Sequence, residues 1–151
     1  MPASRKKIGY LVADGGRARI LVRDGLTAPL EQLEQLESPT IHAPDRALRD
    51  DRPGRVHESA NAARHAQEPR VDRHALEEAR FIRSAVDRLR AVDEMIRFDS
   101  VVIAAAPRAL HELRLALDSG LKQKIAAEID KDLTREPLAA LDRHLARETA
   151  R

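Results

Sequence analysis

Asp14 is the first residue of this chain whose type and place invite chemistry. It closes the apolar run Tyr10 to Ala13 and is followed by Gly15-Gly16-Arg17-Ala18-Arg19. An aspartate at the end of a first strand suits metal-dependent phosphodiester cleavage, in which several carboxylates converge on two metal ions. The other acids on which such a site would draw are Glu77, Glu78, Asp130 and Asp132. Each has a plain backbone role as well: Asp is frequent in turns, and acids favour the positive end of a helix. His57 and His65 stand eight apart, a spacing that matches no common metal site, while His111 and His144 each stand singly. Ser59, Ser84, Ser100 and Ser119 lack the Gly-x-Ser-x-Gly elbow that exposes a nucleophile. The pair Gly15-Gly16 joins two strands and does not open a helix, which argues against a dinucleotide site. With no cysteine in the chain, disulfides, thiolate metal sites and cysteine nucleophiles are excluded. The sequence therefore assigns no catalytic residue, no metal and no cofactor.

The charge is abundant and nearly balanced. Against 25 Asp and Glu stand 27 Lys and Arg, a net of +2, so the total does not point to nucleic acid. The basic residues are mostly arginine, whose planar fork suits phosphates and carboxylates. Tyr10, Phe81 and Phe98 are too few to build a stacking platform for single-stranded RNA, so any RNA contact would be electrostatic or shape-based. No apolar run reaches the length of a membrane span, and the segment Met1 to Lys7 lacks the apolar core of a secretory signal. A cytoplasmic protein without membrane insertion is the expectation. The length of 151 residues suits one domain over 1–151 with a true core.

The elements that must position these residues follow from periodicity. Ile8, Tyr10 and Val12 on one arm, and Ala18, Ile20 and Val22 on the other, flank the Asp-Gly-Gly turn and predict a β-hairpin whose tip carries Asp14, Arg17 and Arg19. Leu30, Leu33 and Leu36 have a spacing that fits neither a clean strand nor a clean helix. Because the segment is bounded by Pro29 and Pro39, it reads as a third strand. From His42 to Arg73 apolar residues thin out and three prolines appear, which predicts a long irregular loop. Leu76, Ala79, Ile82, Val86, Leu89, Val92 and Ile96 mark a helix, with Glu77 and Glu78 near its start. The run Ser100 to Ala106 reads as a central parallel strand buried on both faces. A second helix opens at Pro107, carries Leu110, Leu113 and Leu117 inward, and would stop at Gly120. Lys124 to Asp132 favours a strand, and Thr134 would cap a last helix bearing Leu138, Leu141 and Leu145. The predicted order is βββαβαβα: a mixed α/β sheet of ribonuclease H-like topology, with helices on its faces and the loop 42–73 between the third strand and first helix.

Several segments taken together resemble the bacterial host attachment protein family. They are the ADGGRARIL hairpin, Asp51-Arg52-Pro53-Gly54-Arg55, the helix with Phe81, VVIAAAPRAL with His111-Glu112-Leu113-Arg114, and Asp130-Lys131-Asp132-Leu133-Thr134. That family is named for attachment to host cells and is also similar to the central domain of archaeal and eukaryotic peptide-release factors. In that domain a Gly-Gly-Gln loop enters the ribosome to help hydrolyse peptidyl-tRNA. The comparable loop here, 42–73, has no Gly-Gly-Gln. The resemblance thus implies a non-enzymatic binding factor that docks on ribosome or tRNA, or a role in attachment, more than a metal nuclease. The residues expected to bind are Asp14, which would hold the hairpin tip, together with Arg17, Arg19, Arg52, Arg55 and Arg64. On the family likeness alone, Lys131 and Asp132 border the same surface.

Overall fold

The computed structural model describes residues 6–39 and 59–149, with the side chains of 59–72 and 149 outside the description. The strands β1 (Lys7–Ala13), β2 (Arg17–Asp24) and β3 (Glu31–Glu37) come first, followed by the long helix α1 (Ser59–Ile96). Then come β4 (Ser100–Ala105), α2 (Pro107–Ala116), a short helix α3 (Ser119–Lys124), β5 (Ile125–Ile129) and α4 (Leu138–Thr149). The five strands form one mixed sheet in the order β3-β2-β1-β4-β5. The pairs β1–β2 and β2–β3 are antiparallel, whereas β4 runs parallel to β1 on one side and to β5 on the other.

Both faces of the sheet are covered, so both residue sets of each hairpin arm are buried. Leu11, Ala13, Ala18, Ile20, Val101, Ile103 and Ala105 face Phe81, Ile82, Val86 and Leu89 of α1 and Leu110 and Leu113 of α2. Ile8, Tyr10, Val12, Leu21, Val102 and Ala104 face Leu141 and Leu145 of α4, with Leu133 from the β5–α4 connection. Because Leu11 is registered with Ile20 and Tyr10 with Leu21, the alternating sets of the two arms are offset and point to opposite faces. On the α1 side Gly9 leaves room for the Phe98 ring. A Cβ there would lie 2.6 Å from a ring carbon, which is the reason for a glycine in mid-strand.

Four expectations are corrected. The irregular loop 42–73 does not extend to Arg73, because α1 begins at Ser59; the remainder of that loop lies outside the described residues. Alanine-rich sequence around Pro69 supplies helix propensity without an apolar stripe, and proline was the misleading signal. Glu77 and Glu78 therefore sit within α1 and not at its start. Gly120 does not stop the second helix: α2 ends at Ala116, and Gly120 lies inside α3, an element absent from the predicted order. Thr134 does not cap the last helix, which starts at Leu138 with the Pro137 carbonyl accepting from the Leu141 N–H.

The leucine spacing in β3 has a structural cause. Between Ile20 and Leu21 the register with β3 shifts, with Ile20 opposite Glu34 and Leu21 opposite Gln32, so Leu33 is an extra residue in a β-bulge. The bulge resets the alternation and lets Leu33 and Leu36 both pack on the α1 side while Leu30 joins the other core.

Candidate functional site at the carboxyl edge of the sheet

The carboxyl ends of β1, β4 and β5 share one edge because these strands are parallel. The Asp14 turn, the Ala106-Pro107 junction and the Asp130–Pro137 connection therefore lie along that edge, which is where open α/β sheets commonly hold ligands. Asp14 Oδ1 accepts hydrogen bonds from the Gly16 N–H at 2.8 Å and the Arg17 N–H at 2.7 Å, while the Asp14 N–H donates to the Arg17 carbonyl at 2.8 Å. The side chain thus replaces backbone partners in the turn. Gly15 and Gly16 do not take a left-handed φ; among the described residues that role falls to Gly25 and to Arg97, with φ of 62°. Gly15 lets α1 come close: a Cβ there would stand 2.5 Å from Glu78 Oε2, so a larger residue would make the Glu78 side chain shift.

The other oxygen of Asp14 reaches the β5–α4 connection. Thr134 Oγ1 lies 3.2 Å from Asp14 Oδ2 and 2.6 Å from Asp132 Oδ1, and the Thr134 N–H also donates to Asp132 Oδ1 at 3.0 Å. One hydroxyl proton lies between two carboxylates, with Thr134 only 7 % exposed. Asp132 thereby shapes the connection, and its neighbour Lys131 is exposed.

Arg19 is not at the hairpin tip. It lies within β2 opposite Val12, and its guanidinium is buried. Its Nε donates to Gln32 Oε1 at 2.7 Å, and Nη1 donates to the carbonyls of Glu136 at 2.6 Å and Thr134 at 3.4 Å. Burial pulls its pKa down. It is a strut under the β5–α4 connection, and the expectation that it presents itself to a partner is corrected. Arg17 does sit at the tip, with Nε 3.4 Å from Glu37 Oε1 across the β2–β3 pair. Arg52 and Arg55 lie outside the described residues, and Arg64 falls on α1 with its side chain outside the description.

The structure also brings together residues that the sequence did not join into one site. An open cleft of about 310 Å³ lies between α1 and the first turns of α2, lined by Ala75, Glu78, Pro107, Arg108, His111 and Glu112. Glu78 Oε1 lies 2.9 Å from His74 Nε2 and 3.8 Å from Arg108 Nη2. The i, i+3 spacing of Arg108 and His111 within VVIAAAPRAL-His111 was the available signal, and it gains meaning only once α1 is laid beside it. Below the sheet, Arg23 is buried against α4. Its Nη2 is 2.5 Å from Asp142 Oδ1, Nε donates to the Tyr10 hydroxyl at 3.2 Å, and Nη1 donates to the Ala28 carbonyl at 2.8 Å. Burial would lower the pKa of Arg23, but the Tyr10 and Asp142 bonds outweigh it and raise it.

Among the described residues no three His, Asp or Glu side chains are placed to hold a metal ion, and no described helix is long and apolar enough to cross a membrane. Fold and edge together define a mixed α/β domain with a polar, cross-braced rim at the carboxyl ends of its parallel strands. Residues 10–145 match the family described as "protein required for attachment to host cells", and the chain belongs to that family. No curated protein matches it.

Proposed function

We propose that this chain is a non-enzymatic binding factor acting in attachment to host cells, with the carboxyl edge of the sheet as its contact surface. The observation that carries the role is the family match, which spans nearly every element from β1 to α4. The rim supports a binding role. Asp14 and Asp132 are engaged in holding the turn and the connection, while Arg108 and Lys131 stand exposed.

Deleting the gene and restoring it with wild type or with Arg108→Ala plus Lys131→Ala tests this reading. Adhesion should fall on deletion, return with wild type, and return only in part with the double variant. Full adhesion without the gene would overturn the role, and full rescue by the variant would move the contact surface elsewhere.

A second reading, docking on ribosome or tRNA from the cytoplasm, rests on the resemblance to release-factor central domains, with which the strand order β3-β2-β1-β4-β5 is compatible. An antiparallel first half followed by parallel strands is what a ribonuclease H-like topology and a release-factor-like core would have. Without Gly-Gly-Gln in the chain, such docking would not bring the peptide-release chemistry with it. Cell fractionation followed by a sucrose gradient separates the two. Salt-sensitive migration with ribosomal particles, lost in Arg52→Ala, Arg55→Ala and Arg64→Ala together, supports docking. Absence from every ribosomal fraction removes it.

A further inference from the structure

We propose that the cleft between α1 and α2 is a binding site for a phosphate group, and that the carboxylate of Glu78 is its built-in competitor. Glu78 is largely buried, wedged over Gly15, and its Oε1 takes the two basic side chains nearest to it, His74 at 2.9 Å and Arg108 at 3.8 Å. In an oxyanion site those are the groups that would meet the ligand: a guanidinium fork presents several donors to a tetrahedral anion, and an imidazole adds one. His111 lies one helical turn after Arg108 on the same cleft wall and is exposed. Arg108, the imidazole of His111 and an open volume of about 310 Å³ make a recess large enough for a phosphate, and His74 is tied to it through Glu78. Glu112 is the second carboxylate on the wall. The cleft thus holds its own anion, and an incoming phosphate has to displace Glu78 from Arg108 and His74.

This arrangement gives substitutions effects of opposite sign, which a merely structural ion pair would not. Removing the charge of Glu78 should raise phosphate affinity, because the repulsion between two unit charges about 4 Å apart near a protein surface amounts to a tenfold effect or more. Removing Arg108 should lower it by a similar factor. The site's occupant is either free phosphate or the phosphate of a polynucleotide, and both are tested.

The experiment is calorimetric titration of the full chain with inorganic phosphate, and separately with a short single-stranded RNA, at low salt and neutral pH. The proteins are wild type, Glu78→Gln, Glu112→Gln and Arg108→Ala, each checked for folding by circular dichroism. Binding that tightens about tenfold in Glu78→Gln and is lost in Arg108→Ala supports the proposal. If Glu78→Gln fails to fold, Glu112→Gln supplies the same sign. RNA binding that inorganic phosphate displaces assigns a polynucleotide source, and phosphate binding without RNA binding assigns a small ligand. Absence of phosphate binding in wild type and in both carboxylate variants overturns the site, as does binding that Arg108→Ala leaves unchanged. Because the readout is direct binding, its failure leaves the attachment reading standing.

Discussion

At the scale of single residues, the chain places small or polar groups where a larger or apolar one would collide or leave a partner unmatched. Thr134 is the clearest case, since its hydroxyl lies within hydrogen-bond distance of both Asp14 and Asp132 across the edge. Replacing it with valine keeps the shape and the backbone N–H bond to Asp132 but removes the hydroxyl donor that the two carboxylates share. Stability should drop by about 1–3 kcal/mol, measured by urea denaturation. Gly9→Ala should cost a similar amount, about 1–3 kcal/mol, because the added methyl group meets the Phe98 ring at 2.6 Å and the ring is buried on its other sides. Arg97 carries the opposite expectation. Its left-handed φ of 62° follows the end of α1, where the Arg97 N–H bonds the Asp93 carbonyl and the Phe98 N–H bonds the Asp93 side chain. Arg97→Gly should stabilise the fold by up to about 1 kcal/mol, seen as a rise in Tm. None of these three roles is legible in the sequence, because each depends on which atom lies opposite.

At the scale of elements, the strong signals were readable and the weak ones were not. The hairpin, the buried run Ser100 to Ala105 and the apolar stripe of the second half of α1 follow from period and composition. Strand β3 was recognisable from its flanking prolines, but its leucines at every third position made sense only with the bulge at Leu33. The first turns of α1 were hidden by Pro69, and α3 was hidden because six residues are too short for a period. Only Asp118 announces α3: its side chain accepts from the Leu121 N–H at 2.8 Å and from Arg90 Nε at 2.7 Å. Those bonds, the Leu121 N–H first and the Arg90 guanidinium second, hold its pKa below the ordinary 3.8. A carboxylate whose pKa is lower folded than unfolded stabilises the fold above its unfolded value, and that contribution is lost as pH falls through the folded one. As the loss of an N-cap, Asp118→Ala should cost about 1 kcal/mol at neutral pH. The difference from wild type should shrink as pH is lowered below about 4, where the unfolded carboxyl begins to protonate. Denaturation curves at pH 7 and pH 3 would show this. The candidate site was half readable for the same reason as the elements. Asp14 was visible from its turn, but the partners it uses, and the pairing of Glu78 with Arg108, arise from elements distant in sequence.

At the scale of the whole molecule, the two faces of the sheet are covered unequally. One face has α1, α2 and α3 against it, braced at the rim by Arg88 with Glu34, Arg90 with Asp118, Arg114 with Glu128 and Lys124 with Asp93. Leu141 and Leu145 of α4 cover the other with Leu133, and the buried Arg23 clamps that helix through Asp142. Asp142→Ala would leave the buried guanidinium of Arg23 without its carboxylate; because Asp142 is a third exposed and Arg23 keeps its bonds to Tyr10 and the Ala28 carbonyl, the cost should be about 1–3 kcal/mol. Hydrogen exchange should then accelerate in α4 more than in α1. Equal acceleration in both would mean that the helix unfolds only with the whole domain.

The pairing of β1 with β4 sets Ile8 against Ser100, residues joined by most of the chain. The strands β1, β2 and β3, by contrast, close on one another through short turns. A refolding chain would therefore complete the three-stranded ribbon early and wait for a distant segment to find the open side of β1, since long-range pairing is the slow event in folding. The entropic charge for that search grows only logarithmically with the intervening length. An insertion between β3 and α1 should slow refolding by a small factor and leave the antiparallel ribbon forming at its own rate.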